Sequence, residues 1–356
     1  MPRHAAPPQP ARRATIRDVA AAAGVSIATV SRILGGTYSS APATRQRVLK
    51  AVRELDYVAN AHARALSGGT TKTIAIIANS VISPYYAHVA QGVQSQAAQS
   101  GRLCLIGTAG GDPARELATM RLMREAHAGV VIVVGNVVDD DAYRKRMREY
   151  IHALAAAGSQ LVLCGRPALG PDVPTVVVEF DNTGGARAAT SHLLSAGHRR
   201  ILCLGHRPGY TTSEGWIAGY REALAAFRID PEPALQVEGT MERAEGYRMM
   251  RERLDAGPGD FTAVLAANDL VAAGARQALT ERGLSIPADV SMIGFDDLPP
   301  SADIGLTTVH VPHEELGRTA VRLALEREQS RPGGPERMVL GTHIVMRDSV
   351  RPVQPS

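Results

Sequence analysis

The chain has 356 residues, more than one ordinary domain holds, which predicts two or three domains. Hydrophobic residues make up 45% of the chain, charged residues 21%, and the net charge is only +4, so the composition is that of a folded protein and excludes wholesale disorder. No apolar run approaches the roughly 18 residues of a membrane helix, and the three cysteines (Cys104, Cys164 and Cys203) lack the spacing of a disulfide framework or a zinc site.

Basic charge is concentrated at the N-terminal end. Residues 1–72 carry a net charge of +8, whereas residues 73–356 carry −4. This asymmetry predicts that one end binds a polyanion such as DNA. Residues 1–14 are rich in Pro, Ala and Arg without an apolar period, so we expect a disordered basic tail. No apolar segment of an export signal follows it, and we expect a cytoplasmic protein.

Residues 15–36 (TIRDVAAAAGVSIATVSRILGG) predict two short helices on either side of Gly24. Thr15 and Asp18 can cap the first helix, Gly24 can take the left-handed conformation of a sharp turn, and Ser26 can cap the second helix. The stretch ATRQRVLKAVRELDYV then predicts a third helix. Together these signals predict a helix-turn-helix domain over residues 15–57.

The rest of the chain divides into a short linker and a large body. Residues 58–72 are weakly helical before Ser-Gly-Gly, which predicts a hinge helix and linker. Continuous apolar runs alternate with helical segments beyond it, which is typical of buried parallel strands. The runs cover residues 73–78, 103–107, 129–134, 160–165, 175–180, 200–205, 262–267 and 290–295. Residues 73–356 therefore predict two doubly wound α/β subdomains facing across a ligand cleft.

Several motifs now identify a resemblance. The run TIRDVAAAAGVSIATVSRILGG resembles the head of the lactose, galactose and purine repressor family of bacterial transcription regulators. NSVISPYY, FDNTGGARAATSHLLSAGHRRI, FTAVLAANDLVAAGA, LSIPADVSMIGFDD and VMRDSVRP follow in the order of that family's landmarks. The resemblance implies a head that binds DNA as a homodimer, hinge helices that form on the operator, and a body of periplasmic-binding-protein type that senses a small molecule.

The resemblance also implies which side chains contact DNA. Ile27 and Ala28 would face base edges and Arg32 would follow one turn later, since arginine can clamp guanine and apolar groups can contact a thymine methyl. Four further residues would bind phosphate, namely Arg17, Ser26, Thr29 and Ser31. The alternative for Ile27 is packing against the neighbouring helix.

In the hinge, Leu66 would wedge into the minor groove at the operator centre, and Arg64 would hold the adjacent backbone. The alternative makes Leu66 an ordinary linker residue. The family often has proline just before Asn60, whereas this chain has Ala59, so its hinge would order less readily.

For the ligand cleft, Asp296 and Asn268 match positions that hydrogen-bond hydroxyl groups in sugar-responsive relatives, and both follow predicted strands. Tyr86 and Tyr85 would form an aromatic wall after the first strand. The alternatives are a helix cap for Asp296 and core packing for the tyrosines.

Three positions depart from the family. Trp216, the only tryptophan, stands where an arginine is common, Met241 replaces an aromatic residue, and Gly165 replaces an acidic residue of some relatives. Trp216 could stack on the apolar face of a sugar or on a planar base. The alternative is that Trp216 packs beneath the cleft without touching ligand.

Other chemical signals are weak. His310 and His313 lack nearby Cys or His ligands, and Asp139, Asp140 and Asp141 are most simply a solvated loop or helix start. No nucleophile motif, phosphate loop or metal motif is present, so we expect neither an enzyme nor a cofactor.

These observations favour a repressor of sugar-utilisation genes that is relieved allosterically by a small carbohydrate. A purine- or nucleoside-responsive corepressor-type regulator is the alternative. A solute-binding protein would share the body but would carry an export signal and no basic head. We expect a homodimer on an inverted-repeat operator, since two-fold proteins read two-fold sites.

Overall fold

The computed structural model describes residues 14–35, 41–57, 73–257, 260–329 and 336–353. The chain falls into two compact units, a head that ends before residue 73 and a body that begins there. No helix in the described ranges is long and apolar enough to cross a membrane.

Short helices build the described part of the head. They are α1 (Ile16–Ala23), α2 (Ile27–Gly35) and α3 (Pro42–Glu54). Val19, Val30 and Val48, one from each helix, are completely buried at their common core. The apolar spacing in the sequence therefore produces the predicted helical cluster.

The caps of the head agree with the sequence analysis. Thr15 and Asp18 form a reciprocal capping box, in which the Thr15 amide donates to the Asp18 carboxylate at 2.7 Å. Gly24 ends α1 in the left-handed conformation with φ of 63°. Ser26 Oγ accepts a hydrogen bond from the Thr29 amide at 3.2 Å, so it caps α2.

The body consists of two lobes, each with a parallel sheet. Its strands are β1 (Thr73–Ala78), β2 (Leu103–Thr108), β3 (Val130–Val134), β4 (Gln160–Cys164), β5 (Val176–Phe180), β6 (Ile201–His206), β7 (Gln236–Glu238), β8 (Ala263–Ala266), β9 (Ser291–Ile293), β10 (Thr308–His310), β11 (Glu336–Leu340) and β12 (His343–Val345). Its helices are α4 (Pro84–Gln99), α5 (Pro113–Glu125), α6 (Asp141–Ala156), α7 (Asn182–Ser195), α8 (Thr211–Ala226), α9 (Arg243–Asp255), α10 (Asp269–Glu281), α11 (Pro299–Asp303) and α12 (His313–Gln329).

The first lobe, termed the N-lobe, contains a parallel sheet in the order β11-β5-β4-β3-β1-β2. One apolar cluster joins this sheet to α4 and α12, and a second cluster joins its opposite face to α5 and α6. Strand residues such as Ile132 and Leu163 are completely buried. Helices on both faces explain why the strands are apolar along their whole length.

The second lobe, termed the C-lobe, contains a parallel sheet in the order β7-β6-β8-β9 and an antiparallel pair formed by β10 and β12. Helices α7 and α8 contribute to one apolar cluster against the sheet, and α9 and α10 contribute to the other. Gly219 lets α7 and α8 approach closely, because an added Cβ would lie 2.2 Å from the Thr183 carbonyl oxygen.

Within the described ranges the chain passes between the lobes three times, at β5 to α7, at β10 to α12, and at β11 to β12. The carboxyl ends of the parallel strands of both lobes lie beside these crossings. The cleft between the lobes is therefore the place where doubly wound sheets bind ligands.

Every one of the eight predicted apolar runs forms a strand, with ends that differ by at most two residues. The sequence analysis missed β7, β10, β11 and β12, which are short or carry polar residues. The predicted α/β class with a helical head and two parallel-sheet lobes is confirmed.

Candidate DNA-binding helix and ligand cleft

Helix α2 presents the side chains that the sequence analysis assigned to base contacts. Ile27 is 44% exposed, and Ala28 and Arg32 are exposed as well. On the opposite face, Val30 and Ile33 are buried in the core of the head. Because a helix places these two sets on different sides, Ile27 is available to a partner and does not serve the core.

The polar residues assigned to phosphate lie at the start of this helix and on α1. Ser26 Oγ and Thr29 Oγ1 are 2.9 Å apart, so their hydroxyls share a hydrogen bond. Arg17 is exposed on α1, and Ser31 is half-buried. The predicted hinge contacts, Arg64 and Leu66, lie outside the described residues.

Two tyrosines from the start of α4 form the N-lobe wall of the cleft. Their rings meet edge to face, with centroids 4.9 Å apart. Tyr86 Oη accepts a hydrogen bond from Asn79 Nδ2 at 2.8 Å. Tyr85 Oη is buried and has no hydrogen-bond partner among the described residues. Both tyrosines pack against the N-lobe core, as the alternative interpretation expected, and Tyr85 carries an unsatisfied hydroxyl.

Two glycines at the ends of neighbouring strands make room for these hydroxyls. Gly135 follows β3 with φ of 107°, and a Cβ there would lie 2.6 Å from Tyr86 Oη. Gly165 follows β4 with φ of 67°, and a Cβ there would lie 2.6 Å from Tyr85 Oη. The space that a side chain at 165 would fill is thus already occupied by a tyrosine.

Burial raises the pKa of Tyr85 well above its ordinary value and also raises the pKa of Tyr86. Both phenols are therefore neutral at physiological pH and act as hydrogen-bonding groups. Asp296 further raises the pKa of Tyr85 through its negative charge, which places that carboxylate close to the tyrosine wall.

A buried ion pair between Arg166 and Glu116 holds the turn at Gly135, against which Tyr86 packs. Arg166 is 2% exposed, and its two terminal nitrogens donate to the two carboxylate oxygens of Glu116 at 3.2 and 2.6 Å. Its Nε donates to the Gly135 carbonyl oxygen at 3.1 Å. Because all three nitrogens are engaged, Arg166 fixes the turn after β3.

Asn268 caps α10 at the C-lobe side. Its Oδ1 accepts from the Val271 amide at 2.8 Å, and its Nδ2 donates to the Met241 carbonyl oxygen at 3.0 Å. Met241 is half-buried against the C-lobe core. Both polar groups of Asn268 therefore have an internal partner in this conformation, and because the amide nitrogen carries two hydrogens, a ligand contact need not break the Met241 bond.

Asp296 and His313 face each other from different lobes. Asp296 follows β9 with φ of 109°, and His313 begins α12. The His313 Nε2 lies 3.3 Å from Asp296 Oδ1 without forming a hydrogen bond to it. The His313 ring also meets Tyr85 edge to face at 5.2 Å. Asp296 is thus a half-buried carboxylate at the meeting of both lobes.

Asp269, a second acidic residue of the C-lobe, uses its carboxylate to hold neighbouring segments together. One of its oxygens accepts from the Leu298 amide at 2.7 Å and from Ser301 Oγ at 2.6 Å, and the other accepts from Thr308 Oγ1 at 2.6 Å. Burial, assisted by the charge of Asp296, raises its pKa to about 6. Asp269 ties α10 to the loop that carries Asp296.

Trp216 lies on α8 and is only 2% exposed, in the apolar cluster of the C-lobe. Its Nε1 has no hydrogen-bond partner in the described part of the chain. The indole is part of the C-lobe core in this conformation and is not available to stack on a ligand.

A cavity of the cleft is lined from both lobes. Its N-lobe lining is Gly165, Pro167, Glu179 and Phe180, and its C-lobe lining is Asn182, Thr211 and Thr212. The sequence analysis missed most of these residues, as well as Asn79 and Arg166. The signal that could have found them is their position just after predicted strands, where parallel sheets open to a ligand.

No group of three or more potential metal ligands occurs among the residues that the structure describes. His310 Nδ1 donates to Asp297 Oδ2, 3.0 Å away, and Arg347 donates to the other oxygen of Asp297 at 2.7 Å. These contacts lower the pKa of Asp297, although burial opposes them. Asp140 caps α6 by accepting from the Tyr143 amide.

Known proteins are similar to this chain over almost its whole length. Residues 15–60 match the family described as bacterial regulatory proteins, lacI family, and residues 190–350 match a periplasmic binding protein-like domain. The transcriptional regulator CelR of Thermobifida fusca is 34% identical, with 95% of this chain and 98% of CelR covered.

Solved structures give the same result. A CelR–cellobiose complex superimposes with a TM-score of 0.70 at 32% identity, covering 95% of this chain and 100% of that chain. The lac repressor dimer bound to operator and the anti-inducer ONPF superimposes with a TM-score of 0.80 at 26% identity, covering 96% of this chain and 100% of that chain.

Proposed function

The chain belongs to the LacI family of bacterial regulatory proteins, and we propose that its effector is a small carbohydrate whose binding releases the protein from the operators of sugar-utilisation genes. The protein is a ligand-responsive, DNA-binding transcriptional repressor that acts as a dimer, and it is not an enzyme. We thus propose a carbohydrate as effector, release from the operator as the response, and the residues below as those that bind the effector and the DNA.

The observation that carries the sugar proposal is the composition of the cleft. Asp296 offers a carboxylate between the lobes, Tyr85 offers an unpartnered hydroxyl, and Phe180 offers an apolar surface. Sugars combine hydroxyl groups with apolar faces, so such a mixture of groups suits them. The CelR–cellobiose complex, a structural neighbour, supports the same class.

On the DNA side, we assign the base edges to Ile27, Ala28 and Arg32, which the exposure of α2 supports. Phosphate binding is assigned to Arg17, Ser26, Thr29 and Ser31. Arg64 and Leu66 are assigned to the minor groove, within a hinge of residues 58–72. Two heads of one dimer would then read an inverted repeat, in the cytoplasm where operators lie.

A modest coupling between the two sites is sufficient for regulation. A coupling free energy of roughly 1–3 kcal/mol changes operator affinity by about 5- to 150-fold. Asp296 and His313 belong to different lobes and face one another, so a ligand at this place can bias the relative arrangement of the lobes.

The experiment is a thermal-shift screen of the full chain against sugars, sugar phosphates, nucleosides and purines, followed by operator binding with each hit. We expect a neutral sugar to raise the melting temperature and to weaken operator binding. In Asp296→Ala we expect the operator affinity to persist and the response to disappear. Stabilisation by a purine alone, with tighter operator binding, would overturn the sugar proposal and support a corepressor mechanism.

A further inference from the structure

The two lobes touch through their backbones at the cleft. The Thr211 amide, at the start of α8 in the C-lobe, donates to the Val137 carbonyl oxygen in the N-lobe at 2.9 Å. In return the Val137 amide donates to Thr211 Oγ1 at 3.4 Å. The next residues, Val138 and Tyr210, form an isolated antiparallel bridge. These hydrogen bonds join the two lobes at a place where the chain itself does not pass from one lobe to the other.

The N–H group involved is one that a helix leaves without an acceptor. Thr211 is the first residue of α8, and the first N–H groups of a helix have no intrahelical partner. Tyr210, the residue before it, provides no side-chain cap. The N-lobe carbonyl therefore supplies the acceptor that the C-lobe helix lacks, at the positive end of the helix dipole.

The C-lobe partner of this contact is held firmly on its own lobe. The Arg207 guanidinium lies over the Tyr210 ring, 3.7 Å from its centroid. The Arg207 amide donates to Ser213 Oγ at 2.7 Å, and the Gly209 amide donates to Glu214 Oε1 at 2.7 Å. Because these contacts fix residues 207–210 to α8, the segment cannot move away from Val137 unless the C-lobe moves with it.

The same residue borders the cavity. Thr211 and Thr212 line it from the C-lobe, opposite Gly165 and Phe180 of the N-lobe. A ligand enclosed there has to enter when the lobes are apart and stays when they are together.

We propose that the hydrogen bond from Thr211 to Val137 is a latch that holds the lobes closed over the cavity, and that Thr211 is a positioning residue for effector binding. The latch itself rests on the contacts above, and only its link to effector binding rests on the proposed function. The latch sets how long a bound molecule stays, because the lobes must separate at this contact before it leaves.

The first test uses the ligand-free, full-length protein and residue-resolved hydrogen exchange. After correction for intrinsic rates, we expect the Thr211 amide to exchange at least about tenfold more slowly than the Thr212 amide, because only a latched N–H is protected at the first position of a helix. Equal corrected rates at the two positions would overturn the latch.

The second test compares two variants that both lack the Thr211 hydroxyl and differ in the latch N–H. Thr211→Pro deletes it at the helix position that best tolerates proline, and Tyr210 already has the extended conformation, φ −86° and ψ 128°, that precedes proline. Thr211→Ala is the matched control, since it lacks the hydroxyl but keeps the N–H. Circular dichroism checks that α8 remains helical in both.

The readout is acrylamide quenching of Trp216, the single tryptophan, which is buried one turn after the cavity residue Thr212. We expect the quenching constant of Thr211→Pro to be at least about twofold higher than that of the wild type and of Thr211→Ala, since Phe180, which lines the cavity, packs against the apolar cluster of Trp216 and lobe opening uncovers that cluster. Equal constants for the two variants would overturn the proposal. Both tests omit effector, so their failure would leave the sugar assignment standing, and an empty ligand screen would leave the latch standing.

Discussion

The contact made at residue 165 gives a physical reason for a glycine at a position where the sequence alone offered none. Gly165 replaces an acidic residue of some relatives, and the structure places the Tyr85 hydroxyl in the space of its missing side chain. Gly135 and Tyr86 repeat the arrangement on the neighbouring strand. The resemblance identified the tyrosines, but the matching glycines depend on contacts 49 and 80 positions apart along the chain, which no local pattern reveals.

We expect Gly165→Ala to be more destabilising than Gly101→Ala. Both glycines have φ near 65°, but a Cβ at 101 meets nothing within 4 Å, whereas a Cβ at 165 meets Tyr85 Oη. The shared backbone penalty of a Cβ in the left-handed conformation is about 1–2 kcal/mol, and the collision adds about 1–3 kcal/mol. Urea unfolding measures both free energies. Adding Tyr85→Phe should recover the extra loss at 165; no recovery would mean that the hydroxyl is not the obstacle.

Asp269 makes stability depend on pH. Its pKa of about 6 in the folded protein exceeds the unfolded value near 3.8, so the folded state binds the extra proton and this group's stabilising contribution is lost as pH rises through 6. Between pH 7 and pH 5 we expect its contribution to the free energy of unfolding to rise by about 1 kcal/mol.

Asp269→Asn tests this dependence by urea unfolding at pH 7 and pH 5. The variant is less stable at both pH values, because an amide cannot accept all three hydrogen bonds of the carboxylate. The gain on acidification should nevertheless be smaller in the variant by about 1 kcal/mol. The same gain in both proteins would show that Asp269 is ionised throughout this range.

At the scale of elements, the helices and strands that the sequence predicts are those with a signal in their own residues. The eight strands that were predicted are apolar runs buried on both faces, and the capping box of α1 is a contact over three residues. The missed strands β7, β10 and β12 have three residues each, and β11 begins with Glu-Arg. These strands exist because distant partners pair with them, so their sequences carry little signal of their own.

Helix α2 allows a test that separates base recognition from phosphate binding. We expect Ile27→Ala to weaken operator binding by about 1–3 kcal/mol without changing binding to random DNA. Arg17→Ala should weaken both and lower the salt slope by about 1. Fluorescence anisotropy at several salt concentrations gives these values.

Lys145→Ala is the matched control, because Lys145 is an exposed cation on α6 in the body. It should leave both kinds of DNA binding unchanged. If Ile27→Ala weakened operator and random DNA equally, Ile27 would not read bases.

At the scale of the whole molecule, one edge of the N-lobe sheet is unusually apolar. Among the described residues strand β2 pairs only with β1, and each residue of β2 is exposed or half-buried. Leu103 is 64% exposed and Ile106 is 50% exposed. An apolar edge strand exposed to water is a liability, and we propose that a second copy of this chain covers it in the expected dimer.

We therefore expect Leu103→Lys combined with Ile106→Lys to dissociate the dimer, measured by sedimentation velocity. The matched control is Met338→Lys, a change of the same kind on β11 at the opposite edge of the same sheet. The control should remain dimeric. A dimeric double variant would move the interface away from β2.

The three crossings between the lobes have a consequence for synthesis on the ribosome. The N-lobe begins at Thr73, but its helix α12 and its outer strand β11 come from residues 313–340, after the whole C-lobe sheet has been made. The nascent N-lobe therefore exposes the apolar surface that α12 covers until translation is nearly finished. A message cut short before β11 yields a chain whose first lobe lacks its outer strand, so the lobe that carries Tyr85 and Tyr86 is completed only by the last part of the chain.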